Sequence, residues 1–128
     1  MDRQQKKLYS AENKVFKNES QLTETQLKKF FYLVTGDPWF VEKYGRGFSL
    51  YTVGEGMFDH SFAVYKEIYI LNPVHFTEAS LLHEISHAVK RVRKEPHGTA
   101  FQKRYIELVK KYISNEKGEE LEKLLKLP

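Results

Sequence analysis

Two histidines and a glutamate form the most chemically specific pattern in the chain. The segment His83-Glu84-Ile85-Ser86-His87 has the form H-E-x-x-H and falls in a stretch whose apolar spacing predicts a helix. Histidines four residues apart project from one face of a helix, so both imidazoles can bind one Zn²⁺ ion. Glu84 lies about 100° around the helix from His83, where its carboxylate can take a proton from water without binding the metal. The pattern predicts a hydrolytic zinc site with Glu84 as the general base.

Such a site needs a third protein ligand and an open fourth position. His97 is the best candidate, because nine residues separate it from His87 and the intervening loop would let the chain turn back toward the metal. Pro96 would stiffen this approach, and Gly98 would allow an unusual backbone angle beside the ligand.

Three other side chains are weighed against His97. An acid on the following helix is the alternative third ligand, and Glu107 is the nearest choice. His60 lies in a predicted turn after Asp59, and His75 lies in the linker just before the motif helix. Both are interpreted as surface residues.

The order of elements indicates an α+β fold rather than alternating α/β. Residues 4–44 have apolar residues at helical spacing, with a capping box at Thr23-Glu24-Thr25-Gln26. Residues 48–72 are rich in aromatic and β-branched residues and predict a small antiparallel or mixed sheet, with an antiparallel meander favoured. Residues 77–126 return to helix. We predict one domain over residues 1–128, in which the sheet packs on helices.

The motif helix is expected to begin at Thr77, with the Thr77-x-x-Ser80 spacing as its start signal, and to run to about Arg93. The face opposite the histidines is apolar, so the helix would be anchored in a core and would hold the histidines on a distinct face.

Composition restricts the class of protein. The chain has 128 residues, 41% hydrophobic and 30% charged, which is typical of a folded domain. It has no cysteine, which excludes disulfides, thiolate zinc sites and cysteine nucleophiles. The sequence contains no run of 18 apolar residues, so no membrane helix is predicted. The polar N-terminus does not resemble a secretory signal. We therefore expect a cytoplasmic protein that does not bind membranes.

The net charge of +4 is concentrated in one segment. Residues 90–111 contain eight basic and two acidic side chains, and such a segment attracts anionic partners. The segment predicts weak nucleic-acid binding, and a solvated helix surface is the alternative interpretation.

The metal motif also carries a family resemblance. Together with Pro96-His97-Gly98-Thr99-Ala100-Phe101, it resembles the zincin core of SprT-like metalloproteases. It is more similar to small metallohydrolases of actinobacteria and their phages, which have patterns like residues 2–12 and 101–109 of this chain. The chain lacks cysteine, and so lacks the zinc ribbon that many SprT-like proteins carry.

This resemblance implies a zincin-like fold with His83, His87 and His97 as zinc ligands and Glu84 as general base. It also implies that the strand before the motif helix, about Glu67–Leu71, is an edge that pairs with an extended peptide substrate.

The sequence therefore predicts a zinc-dependent hydrolase, specifically a metallopeptidase that acts on peptide or protein substrates. One alternative is a nucleic-acid-associated protein, recruited to DNA, whose zinc is structural or incidental. A second alternative is a phage-associated hydrolase of capsid protein or cell-wall peptides.

Overall fold

A computed structural model describes residues 3–53, 61–90 and 96–127, and their contacts divide the chain into two compact units. One unit combines Met1–Glu19 with Val92–Pro128, and the other is Ser20–Arg91. Six α-helices and three short strands lie in the described ranges, so the α+β class is confirmed. The single domain over residues 1–128 stays a prediction. No helix among the described residues is long and apolar enough to cross a membrane.

The helices and strands are numbered in chain order. The helices are α1 (Arg3–Val15), α2 (Glu24–Thr35), α3 (Pro38–Tyr44), α4 (Glu78–Ala88), α5 (Thr99–Tyr112) and α6 (Asn115–Leu125). The strands are β1 (Ser49–Tyr51), β2 (Phe62–Val64) and β3 (Glu67–Tyr69), and a short 3₁₀ turn covers Pro73–His75.

The first unit is helical. α6 packs against both α1 and α5, and each helix places an apolar stripe on this shared core. Leu8 of α1, Leu108 of α5 and Leu121 of α6 are completely buried. Tyr105 adds a polar tie, because its hydroxyl donates to a carboxylate oxygen of Glu12 at 2.8 Å. The unit therefore joins the N-terminal helix to the two C-terminal helices.

The second unit contains the sheet and the motif helix. Thr23 accepts a hydrogen bond from the backbone of Gln26 and the Gln26 side chain accepts one from Thr23, so the predicted capping box of α2 is confirmed. The sheet has the order β1-β3-β2, with β2 antiparallel and β1 parallel to β3. Ile68, in the middle of β3, is completely buried, and β2 and β3 pack against α4.

The antiparallel meander was a wrong prediction, because β1 pairs in parallel with β3 instead of antiparallel with β2. The two-residue turn at Tyr65 and Lys66 forces β2 and β3 into a hairpin, whereas the long connection from β1 to β2 leaves the partner of β1 open. Apolar alternation shows which face of a strand is buried but not which strand lies beside it.

The prediction of an edge strand at about Glu67–Leu71 was also wrong. The strand ends at Tyr69 and lies in the centre of the sheet, with β1 on one side and β2 on the other. A central strand uses its backbone donors and acceptors on both neighbours, so no peptide can add to it.

Candidate metal centre

The motif helix α4 begins as the sequence predicts. The Thr77 hydroxyl accepts a hydrogen bond from the backbone N–H of Ser80 at 3.1 Å, and Glu78 places a negative charge in the first turn, where the helix dipole favours it. Nearly the whole circumference of α4 is buried, including its polar members His83, Glu84 and Ser86. The helix is therefore held in place on most of its surface.

The end of α4 differs from the prediction. The helix was expected to reach about Arg93, but it ends at Ala88, and residues 91–95 lie outside the described ranges. The Ala88 carbonyl accepts a hydrogen bond from the backbone N–H of Lys66 at 2.8 Å. A partner from the β2–β3 turn thus satisfies a carbonyl that a longer helix would have used internally.

His83 and His87 lie together on one face of α4. Their ring centroids are 5.1 Å apart and the ring planes are inclined by 65°. Two imidazoles that bind one tetrahedral zinc ion at 2.0–2.1 Å place their ring centroids about 5 Å apart. His83 is 6% exposed and His87 is partly exposed, so the pair is largely withdrawn from solvent. The centroid separation of the pair is compatible with two ligands of one zinc ion.

Glu84 lies beside this pair and is only 7% exposed. A carboxylate is costly to bury unless hydrogen bonds or opposite charges compensate it. Ionisable groups buried at such a cost are concentrated at functional sites, where the surroundings set their proton affinity. The role of Glu84 as a general base stays a prediction.

His97 lies in the other unit, in the turn directly before α5. It is 8% exposed, and its ring makes edge contacts with Tyr9 at 5.9 Å and Phe101 at 5.3 Å between centroids. Its backbone carbonyl accepts a hydrogen bond from the Gln102 side chain at 2.9 Å. His97 is therefore a fixed, buried side chain and not an exposed loop residue.

The expected role of Gly98 was wrong. Gly98 precedes the first residue of α5 with φ −73° and ψ −175°, an extended conformation that any residue can adopt. The turn before α5 consequently needs no special backbone angle beside His97.

Of the three residues weighed against His97 as metal ligands, the two that the structure describes differ from it in exposure and contacts. Glu107 is partly exposed and lies about 12 Å along α5 from Thr99. The His75 Nδ1 atom is 3.2 Å from the Ser61 hydroxyl, in a contact that involves no residue of the motif. His60 lies outside the described residues.

The basic segment 90–111 is described only in part. Residues 91–95 lie outside the described ranges, and Lys110 forms an ion pair with Glu122 at 3.3 Å. An acidic side chain of α6 thus compensates part of the charge that the sequence concentrates here. Nucleic-acid binding by this segment stays a prediction.

Sequence reasoning did not identify Tyr9 and Gln102, which hold the ring and the backbone of His97. Tyr9 is 88 positions away along the chain, so no local pattern connects it with the motif. Gln102 has a weak signal, since it is a polar residue at a buried position of an amphipathic helix.

Comparisons of this chain with protein-family models, curated proteins and solved structures found no match. The histidine pair and the buried Glu84 of α4 are therefore the features that bear on the chemistry of this site.

Proposed function

We propose that this protein is a zinc-dependent hydrolase of the zincin type, acting as a peptidase, with His83, His87 and His97 as zinc ligands. The observation that carries the proposal is the 5.1 Å separation of the His83 and His87 rings on a helix that also buries Glu84. The small sheet packed on α4 is compatible with the zincin hypothesis.

The donor set suits the proposed metal. Three neutral imidazoles with one open position are a frequent ligand set of catalytic zinc. A zinc ion held there would make a water molecule acidic at neutral pH and would polarise a substrate carbonyl group.

The protein residues supply the proton transfer. The Glu84 carboxylate takes a proton from the attacking water and passes it to the leaving amine. Because Glu84 is on the same rigid helix as His83 and His87, its distance from the histidine pair is fixed before any substrate arrives. Burial strengthens its electrostatic interaction with the reacting groups, since little water competes for the carboxylate.

Contacts within its own unit fix the position of the His97 side chain. Edge contacts with Tyr9 and Phe101 restrict the ring, and the Gln102 side chain holds the backbone. An imidazole that is already ordered loses little conformational entropy when it binds a metal ion.

The first experiment measures metal content by elemental analysis of the tag-free protein, purified without added metal. We expect about one zinc per chain in the wild type and a large decrease in both His87→Ala and His97→Ala. His75→Ala is the matched control, because it removes a partly exposed histidine that we do not assign to the site. A wild type that takes up no zinc when zinc is offered would overturn the proposal.

The second experiment separates zinc binding from hydrolysis. We expect Glu84→Gln to keep its zinc and to hydrolyse an unfolded protein substrate about 10²- to 10⁴-fold more slowly. Glu78→Gln, on the first turn of the same helix, is the control and should retain activity. Full activity in Glu84→Gln would exclude Glu84 as the base. Cleavage of peptidoglycan but not of unfolded protein would favour the cell-wall alternative.

A further inference from the structure

A shallow groove along the exposed face of α1 and the turn after it contains three lysines to which we assign no role in the candidate metal site. It is a mostly open depression with a volume of about 620 Å³. We call it the lysine groove. Its lining residues are Lys6, Tyr9, Ser10, Asn13, Lys14 and Lys17.

The helix repeat explains why these side chains share a face. Counted from Lys6, the lining residues within α1 follow at i+3, i+4, i+7 and i+8, which is one stripe of an α-helix. The buried residues Leu8, Ala11 and Val15 occupy the opposite face and hold α1 in its unit. The lysine groove is therefore displayed to solvent by the same periodicity that builds the core.

The positive charge of the groove is not compensated nearby. Among residues 3–53, 61–90 and 96–127, no carboxylate forms an ion pair with Lys6, Lys14 or Lys17. Glu12, the one acid within α1, accepts a hydrogen bond from Tyr105 on the side away from the groove. Three ammonium groups thus face solvent together and create a local positive potential.

Two other lysines of the same unit have partners. Lys7 donates to the backbone carbonyl of Leu125 at 2.8 Å, and Lys110 is paired with Glu122. The three groove lysines therefore carry positive charge without an ion pair among the described residues, whereas part of the charge in the basic segment 90–111 is paired.

We propose that the lysine groove binds the sugar–phosphate backbone of nucleic acid without sequence preference. Lysine, serine, asparagine and tyrosine are the side chains that contact phosphate oxygens. The attraction between the three lysines and phosphate oxygens does not depend on the base sequence, so we expect no sequence to be preferred.

The mixture of charged and neutral donors favours a phosphate backbone over an acidic peptide. Lys6 and Lys14 are about 12 Å apart along the helix axis, and Lys17 follows in the next turn. A nucleic-acid strand carries an anionic phosphate on every nucleotide and further acceptor oxygens on its sugars, so it can contact Ser10 and Asn13 as well as the lysines. An acidic peptide offers a comparable array only where its sequence repeats acidic residues.

The test uses the full chain in EDTA, so that it is independent of the proposed metal. Fluorescence anisotropy with labelled 20-nucleotide single-stranded and duplex DNA of two unrelated sequences is measured from 20 to 200 mM salt. The test variant is Lys6→Ala/Lys14→Ala/Lys17→Ala. The control is Lys103→Ala/Lys110→Ala/Lys111→Ala on α5, which removes the same charge. Circular dichroism establishes that both variants are folded.

We expect binding that weakens with salt and is equal for the two sequences. The α1 variant should lower the slope of log affinity against log salt by about three, one for each phosphate that a lysine no longer neutralises, while the α5 variant should keep the wild-type slope. The absence of binding at 20 mM salt, or a weakening confined to the α5 variant, would overturn the proposal. A poly-glutamate peptide that competes as well as DNA would do so too, in favour of an acidic protein partner.

Discussion

The backbone N–H of Lys66 donates a 2.8 Å hydrogen bond to the carbonyl of Ala88, the residue that follows His87. Lys66 lies in the β2–β3 turn with a positive φ of 63°, and its ammonium group donates to the Arg46 carbonyl at 2.6 Å. Its own carbonyl accepts from the Ser49 N–H at 2.9 Å. One turn residue therefore connects the sheet with the end of the helix that carries the histidine pair.

This connection can be tested with two substitutions at one position. Lys66→Gly keeps the N–H donor and suits the positive φ but loses the ammonium hydrogen bond to the Arg46 carbonyl, so the unfolding free energy should fall by only about 1 kcal/mol. Lys66→Pro removes the donor and cannot adopt φ 63°, so we expect the unfolding free energy to fall by about 3 kcal/mol or more. Urea denaturation measures both values, and equal stability of the two variants would contradict the role of the hydrogen bond.

The sheet carries a row of stacked rings. Tyr69 on β3 lies 4.8 Å from the Tyr51 ring and 4.6 Å from the Phe62 ring, with interplanar angles of 15° and 8°. Aromatic pairs contribute about 0.5–1.5 kcal/mol each, so Tyr69→Ala should reduce the stability by at least about 1–3 kcal/mol. Tyr69→Phe keeps the stack and removes only a long 3.4 Å hydrogen bond to Glu67, so its stability should stay close to that of wild type. A large destabilisation in Tyr69→Phe would assign the effect to the hydroxyl.

The pKa of Tyr69 provides a second readout of the same row. Burial, followed by the nearby Glu67 carboxylate, raises the pKa of the Tyr69 phenol above its usual value of 10.0. We expect Glu67→Gln to lower this pKa, because a negative neighbour disfavours the phenolate. Ultraviolet titration of wild type, with Tyr69→Phe to assign the signal, measures the change, and an unaltered titration would contradict it.

Gly118 permits a close approach of α6 to α5. A Cβ atom at position 118 would overlap Cγ of Lys110 and lie 3.2 Å from the Lys110 backbone nitrogen. We expect Gly118→Ala to destabilise the protein by up to about 2 kcal/mol, since overpacking costs about 1–3 kcal/mol and alanine regains about 1 kcal/mol of helix propensity. Glu119→Ala on the exposed side of α6 is the control. Adding Lys110→Ala to Gly118→Ala should restore part of the stability, and no recovery would place the strain elsewhere.

Glu24 links α2 to the stretch after β1. Its carboxylate accepts a hydrogen bond from the Thr52 hydroxyl at 2.9 Å and faces Lys28 at 3.4 Å. The Thr52 hydrogen bond, and then the Lys28 hydrogen bond and charge, lower the pKa of Glu24 below 4.5. Because the folded pKa is depressed, this interaction stabilises the fold above pH 4.5, and the stabilisation is lost as the pH falls through the folded pKa.

Thr52→Val should therefore raise the pKa of Glu24 toward 4.5, whereas Thr52→Ser should keep it low. Nuclear magnetic resonance titration of the Glu24 carboxyl measures the pKa in each variant. The stability difference between wild type and Thr52→Val should be largest at neutral pH and shrink below pH 4.5. A Glu24 pKa unchanged in Thr52→Val would assign the shift to Lys28 instead.

The local features of this protein could be predicted from its sequence. The H-E-x-x-H pair, the Thr23 capping box and the Thr77 start of α4 each depend on residues three or four positions apart. Within that distance the helix repeat determines which side chains meet, and no distant partner is needed. The helical segments at both ends of the chain were predicted for the same reason.

Tertiary structure alone decided the features that depend on distant partners. It placed β3 in the centre of the sheet and β1 parallel to it, and it ended α4 at Ala88 through the N–H of Lys66. It also buried His97 against Tyr9 and left Lys6, Lys14 and Lys17 together on a face open to solvent. Strand order, burial and charge compensation depend on which segments pack together, and residue spacing along one segment does not contain that information.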